Sequence, residues 1–426
     1  MTNKHIFAAT AAVVLALHPA LLRAADWPQY RGLNQDGLST EKAALTWSDA
    51  GPKVVWKTPT KNGFSSFAVS GGKAYTQVNR EVDGARRELL VALDANTGKE
   101  LWFADIGSGK YDGGGDDGAP DNRGGDGPRS TPTVNGGKVY VSIQHLVVSC
   151  FDAESGKKLW SRDLMKDHAG RNIGWKNAAS PIVDGELVFF AGGGPGESLL
   201  ALNKNTGAVA WKAHDEKITH ATPVAATIQG VRQVIFFLQS GLLSVSASDG
   251  KALWRFPFRY NVSTAISPVV SGDIVYCSAG YGVGSGACKI TKSGDTFTAT
   301  ELYKIPGDKP IANHWSTPVA KDGYLYGMFS FKKYGGGPLK CVDIATGQVK
   351  WEQPGFGAGN AIVVGDKILA LSDKGELVTV EATPGAYKEI ARAKVLNGKC
   401  WSTPAFSNGR IYVRSTTEGA CLEAGR

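Results

Sequence analysis

Arg129, Asn177, His220, the pair His314 and Trp315, and Trp401 come from five distant parts of the chain, yet each stands just before the same short signature, Ser/Thr-Pro. Lys176 and Asn313 lie beside them. A guanidinium offers a rigid fork of donors for an anion, and an indole offers a flat face for a ring or sugar. If the fold brings these positions together, they make a site for a small polar or anionic ligand. Arg129 would be its charge partner, and Trp315 or Trp401 its stacking platform. The competing reading is that the same side chains fill the space with water and one another.

Other candidate chemistry is weaker. The stretch YDGGGDDGAPDNRGGDG (111–127) places Asp112, Asp116, Asp117, Asp121 and Asp126 among glycines. Carboxylates are hard donors that suit Ca²⁺, but the spacing is not that of an EF-hand. An acidic loop over one face is the preferred reading, with no metal site; Asp112, Asp116, Asp117 and Asp121 stand as the calcium alternative. GYGVGSG (280–286) and GGGPG (192–196) resemble phosphate loops in composition, but no helix pattern follows them, so they read as turns. No G-x-S-x-G or H-E-x-x-H occurs, and no catalytic residue is assigned. C-x-x-C-H is absent too, which excludes covalent c-type haem.

The chain has 426 residues, 54 of them glycine, and a formal net charge of +8. Without a Lys/Arg run or a nucleic-acid module, this mild basicity does not indicate nucleic-acid binding. Residues 1–25 carry a positive start, a short apolar run (8–17) and small residues at Ala24 and Ala25, the pattern of a secretory signal peptide. No Cys marks the cleavage point for a lipid anchor, and no other stretch could cross a bilayer. Cys150, Cys288, Cys341 and Cys421 fall at one repeat slot, filled elsewhere by Ala92 and Ala201. They read as small buried hydrophobes in separate repeats. Whether Cys277 and Cys288 pair across one hairpin is left open.

The elements that position these residues come from a repeat. LDANTGKELW (93–102) returns as FDAESGKKLW (151–160), LNKNTGAVAW (202–211), VSASDGKALW (245–254) and VDIATGQVKW (342–351). Asp or Asn opens the turn, Gly takes a positive φ, and the phrase is a hairpin ending on Trp. Upstream of each, Ser/Thr-Pro begins another strand pair. The prolines at 132, 181, 223, 268, 318 and 404 are 42 to 50 residues apart, save a last gap of 86 that holds two units. With a first unit from Phe64 and one from Gly359, both lacking the proline, there are eight. Four short strands every 40 to 50 residues predict an all-β, eight-bladed propeller of four-stranded antiparallel blades. The last unit has three strands, and residues 54–57, which carry an unpaired Trp56, should complete it beside residues 419–423 and close the ring. Residues 26–426 then form one domain, with 26–60 as the closing segment and 107–128 as an insertion.

The L-D-A-x-T-G-K-x-x-W phrase resembles the repeat of the PQQ-like propellers, which include quinoprotein alcohol dehydrogenases and the outer-membrane assembly lipoprotein BamB. The opening DWPQYRGLNQDGLS (26–39) resembles the mature start of exported PQQ-like repeat proteins. The resemblance covers the whole mature chain. It implies the propeller and, in the dehydrogenases, pyrroloquinoline quinone (PQQ) with Ca²⁺. This chain lacks the adjacent cysteines those enzymes place over the cofactor, and BamB's lipid-bearing Cys. The expected function is non-catalytic binding or scaffolding in the cell envelope, without cofactor. The alternative is a PQQ-dependent alcohol or sugar dehydrogenase. An envelope protein or a small polar ligand at the channel mouth is the expected partner of a periplasmic or secreted monomer.

Overall fold

A computed structural model describes residues 26–111, 127–329 and 337–425. Its strands form eight sheets with consecutive strands side by side. Blades 1 to 7 span 68–108, 133–163, 182–213, 224–257, 269–306, 319–353 and 360–394. Blade 8 takes three strands from 405–423, and its outer strand is Val54–Pro59. Trp56 pairs with Cys421 and Thr58 with Gly419, so the ring closes as the unpaired Trp56 predicts. The first strands of blades 8, 1, 2, 3 and 4 touch in turn, as do those of blades 5, 6 and 7, so the inner strands surround the axis.

Local turn chemistry builds each blade. Asp94 Oδ1 accepts the Asn96 and Thr97 amides at 2.9 and 2.8 Å, and the Thr97 hydroxyl at 3.0 Å. Gly98 follows at φ +70°. Asp152, Asn203 and Asp343 cap the same turn in their blades. The Trp that ends each phrase then seats on the next blade. A Cβ on Gly156 would lie 2.6 Å from Trp102, one on Gly207 2.6 Å from Trp160, and one on Gly250 2.6 Å from Trp211. From blade 1 to blade 4 the repeated phrase is thus both turn and lock, with the Trp of one copy covering the Gly of the next.

The Ser/Thr before each proline makes a second lock. Ser66 N donates to Thr131 Oγ1 at 3.0 Å, Thr131 N to Ser180 Oγ at 2.9 Å, and Ser180 N to Thr222 Oγ1 at 2.9 Å. Ser267 N donates to Thr317 Oγ1 at 3.1 Å, and Thr403 N to Ser66 Oγ at 2.9 Å. This hydroxyl belt ties blade 8 to 1, 1 to 2, 2 to 3, 3 to 4, and 5 to 6. Arg414 crosses the seam between blades 8 and 1. Its guanidinium donates to Thr76 Oγ1 at 2.6 Å, Gln77 O at 2.9 Å and Lys61 O at 3.0 Å.

All six cysteines are free and buried. Cys150, Cys341 and Cys421 face Trp160, Trp351 and Trp56 as expected. Cys288 does not share the slot: Ala287 pairs with Tyr303, and Cys288 falls one residue later, across a bulge, opposite Glu301. Cys277 pairs with Gly286, so it lies diagonal to Cys288 and the two are unbonded.

Candidate functional site

Two features shape the channel. The first was hidden in the sequence: residues 27–39 run inside it. Trp27 exchanges backbone bonds with Val69 in blade 1 at 2.9 and 2.7 Å, and Val134 N of blade 2 donates to Pro28 O at 2.8 Å. Ala225 N of blade 4 donates to Gln35 Oε1 at 2.9 Å. Arg31, 2% exposed, donates to Thr317 O at 2.7 Å and Pro318 O at 2.9 Å in blade 6. Strand Leu38–Ser39 then pairs in parallel with the inner strand Asn360–Val364 of blade 7, which, like blade 1, lacks Ser/Thr-Pro. Between this segment and blades 3 to 6 lies a cavity of about 390 Å³ lined by residues that include Arg31, Gln35, Asp36, Asp184, Thr227 and Arg232.

The second feature is the mouth, where the Ser/Thr-Pro strands begin. His314 and Trp315 are in ring contact at 4.6 Å, and Trp315 meets Trp401 at 4.7 Å. The arc extends to Tyr281, 4.9 Å from His314, and to Phe64, stacked on Trp401 at 5.1 Å. Lys399 lies over the Trp401 ring at 4.7 Å. Opposite, Arg129 donates to the Trp175 carbonyl and lies 5.7 Å from the Tyr111 ring centre. His220 Nε2 bonds Gly174 O at 2.8 Å, and its Nδ1 bonds Ser263 Oγ at 3.1 Å. Burial pulls His220 down to about 4, and burial, with His220 nearby, pulls His314 down to about 3. Both imidazoles are therefore neutral near pH 7.

The predicted residues divide accordingly. His314, Trp315 and Trp401 converge in one arc, and Arg129 and His220 share the facing loops. Asn177 does not join them: its Nδ2 donates to Ser142 Oγ at 2.9 Å, tying its own loop to blade 2. Asn313 is likewise structural, accepting from Tyr276 OH at 2.6 Å and donating to Met328 O at 2.7 Å. Lys176 sits on that loop at φ +63°, its backbone N–H bonded to Ile173 O at 3.0 Å. Through its bond to the Trp175 carbonyl, Arg129 also ties its own loop to the connection into blade 3. Phe64, Tyr281 and Lys399 were missed. Phe64 stands two residues before Ser66, the first unit's counterpart of the Ser/Thr-Pro hydroxyl, and Lys399 two before Trp401; that offset was the available signal. Asp112, Asp116, Asp117, Asp121 and Asp126 lie outside the described residues, as do residues 1–25. Among the described residues, no three His, Cys, Asp or Glu side chains are grouped to hold a metal ion.

The family of the outer membrane protein assembly factor BamB matches residues 86–327 and 335–423. The chain belongs to this BamB-like family. BamB of Yersinia pestis is 23% identical over 384 residues, covering 88% of this chain and 81% of that protein. BamB of Moranella endobia (strain PCIT) is 24% identical over 265 residues, covering 60% of this chain; the chain spans 64% of that relative's length. Two solved structures share the BamB-like propeller at 14% identity. BamB from Moraxella catarrhalis has a TM-score of 0.60, covering 88% of this chain and 98% of that one. A quinohemoprotein alcohol dehydrogenase from Pseudomonas putida HK5 has a TM-score of 0.64, covering 94% and 80%. These structural likenesses concern the fold alone.

Proposed function

We propose that this propeller is an exported, non-catalytic binding or scaffold protein of the cell envelope, acting as BamB-like proteins do in outer membrane protein assembly. Residues 1–25 would be the signal peptide and 26–426 one monomeric, periplasmic domain. The observation that carries the reading is that the chain occupies its own channel. Residues 27–39 run along the inner strands, and the mouth rings stack on one another. Binding is thereby directed to the rim, where Trp175 and Tyr281 are 43% and 44% exposed. Exposed aromatics beside a guanidinium suit a protein partner. A small polar ligand held by Arg129 is the narrower form of the same proposal.

The dehydrogenase alternative needs a slot for PQQ and ligands for Ca²⁺. Trp315 and Trp401 are already at ring contact, with no slot between them, and the imidazole beside them, His314, is neutral. The mouth residues therefore do not fit a quinone–calcium pair. Two measurements test the proposal. Deleting the gene should lower the amounts of folded β-barrel proteins in the outer membrane, restored by the wild-type chain and not by a Trp175→Ala/Tyr281→Ala variant. Mature protein incubated with PQQ and Ca²⁺ should lose the quinone absorbance on gel filtration. Retained quinone with dye-linked alcohol oxidation would overturn the reading.

A further inference from the structure

Three buried oxygen acceptors without a donor gather at the seam between blades 1 and 2, away from the axis. They are Asn79 Oδ1, Glu88 Oε2 and Gln144 Oε1, on residues 6%, 0% and 3% exposed. Asn79 and Glu88 are directly opposed on neighbouring antiparallel strands, so their side chains share a face. Glu88 opposes Gly107 on its other side, where no side chain intervenes. The Gln144 backbone amide lies beside the Glu88 carboxylate, which brings blade 2 onto the same spot.

The amide orientations are fixed by their partners. Asn79 Nδ2 donates to Gly109 O at 2.9 Å, and Gln144 Nε2 donates to Ser108 O at 3.0 Å and Lys110 O at 2.9 Å. Flipping either amide would set its oxygen against carbonyls. Both side chains thus grip the turn 108–110 with nitrogen and leave oxygen uncommitted. The Tyr111 hydroxyl donates to Glu88 Oε1, so Oε2 alone of that carboxylate is open. While Glu88 is ionised the three acceptors cannot satisfy one another, and a buried acceptor without a donor is costly.

We propose that Asn79 Oδ1, Glu88 Oε2 and Gln144 Oε1 bind one Ca²⁺ ion at this seam. An all-oxygen set of one carboxylate and two amides, on three different strands or loops, suits the irregular coordination of Ca²⁺. Mg²⁺ demands a tighter octahedron, and Zn²⁺ favours nitrogen and sulfur. One carboxylate, with the Arg129 guanidinium also acting on it, places the affinity with the weak extracellular class, about 10⁻⁴ to 10⁻³ M. The ion would neutralise Glu88, which burial otherwise holds near 7. It would also tie blade 1, blade 2 and the base of the 107–128 insertion together.

The test uses metal-free mature protein titrated with CaCl₂ by calorimetry, with melting measured in parallel. About one ion per chain should bind, and about 5 mM Ca²⁺ should raise Tm by roughly 1–3 °C. Both effects should vanish in Glu88→Gln and weaken in Gln144→Leu, a variant that keeps the carboxylate should Glu88→Gln fail to fold. Absence of heat and of a Tm change in the wild type overturns the proposal. So does unchanged binding in Glu88→Gln, which would place the ion elsewhere. A wild-type Tm that responds to acid but not to Ca²⁺ would show that a proton occupies the site, and overturns it too.

Discussion

The indole of Trp56 covers Gly98: a Cβ on Gly98 would lie 2.7 Å from the ring, and Trp56 Nε1 donates to the Ala95 carbonyl at 3.0 Å. Trp56 sits on the strand that completes blade 8, and Gly98 in the turn of blade 1, so this pair is where the ring shuts. Gly98→Ala should cost about 2–4 kcal/mol, combining positive-φ strain with displacement of a buried Trp. Gly71→Ala, at φ +58° with nothing within 4 Å of the new Cβ, should cost about 1 kcal/mol. Urea unfolding of both variants compares them, and equal losses would show that the Trp seat adds nothing.

The mouth histidines make the fold acid-sensitive. Burial holds His220 at about 4 and His314 at about 3, with Arg129 also lowering the first and Asp308 partly opposing the shift of the second. An unfolded imidazole titrates near 6.5. Below that value the unfolded chain binds more protons than the folded one. This stability is therefore complete above about pH 6.5 and is lost as pH falls towards 4 and 3. The loss between pH 7 and pH 5 should be about 2 kcal/mol per histidine. Melting from pH 7 to 5 should show a slope that flattens in a His220→Gln/His314→Gln variant; an unchanged slope would assign the acid sensitivity elsewhere.

Residues 27–39 shield the inner strands. Without residues 26–39, the backbone N–H groups of Val69, Val134 and Val363 lose the carbonyl partners they now have, and Ala225 N loses Gln35. Amide exchange at these four positions should speed up at least about tenfold in the truncated chain. Outer-strand amides such as that of Trp211 should exchange as before. Uniform acceleration would mean that the segment holds the whole ring together and does more than line its channel.

The thiols should be silent until the chain unfolds. Burial pushes Cys150, Cys288 and Cys400 up to about 12 and Cys341 and Cys421 up to about 11. Thiolate is the reactive form. Native protein should therefore leave a thiol reagent unconsumed, and denatured, unreduced protein should consume six equivalents, one per cysteine. Fewer than six would reveal a disulfide.

The blades and their closure were legible because their causes are local. An Asp that caps its own turn, a Gly at positive φ and an apolar alternation act within ten residues, and their period counts the units. Trp56 without a preceding unit was enough to place the closing strand. The convergence of His314, Trp315 and Trp401 was legible too, since every inner strand starts at the same mouth.

What a side chain does at that mouth was not local. Asn177 and His314 hold equivalent places, each four residues before its strand's proline, yet Asn177 turns to Ser142 and His314 to Trp315 and Tyr281. A small amide can reach a backbone within its own neighbourhood, whereas a large ring must find another ring. The Ser/Thr hydroxyls look like strand-start punctuation in sequence and become inter-blade locks only once the ring is built. The channel segment is the extreme case. Arg31 meets its acceptors 286 and 287 residues away, and nothing periodic in residues 26–39 announces it. The repeat dictates the ring, but only the closed ring creates the axial space into which the non-repeating start of the chain can pack.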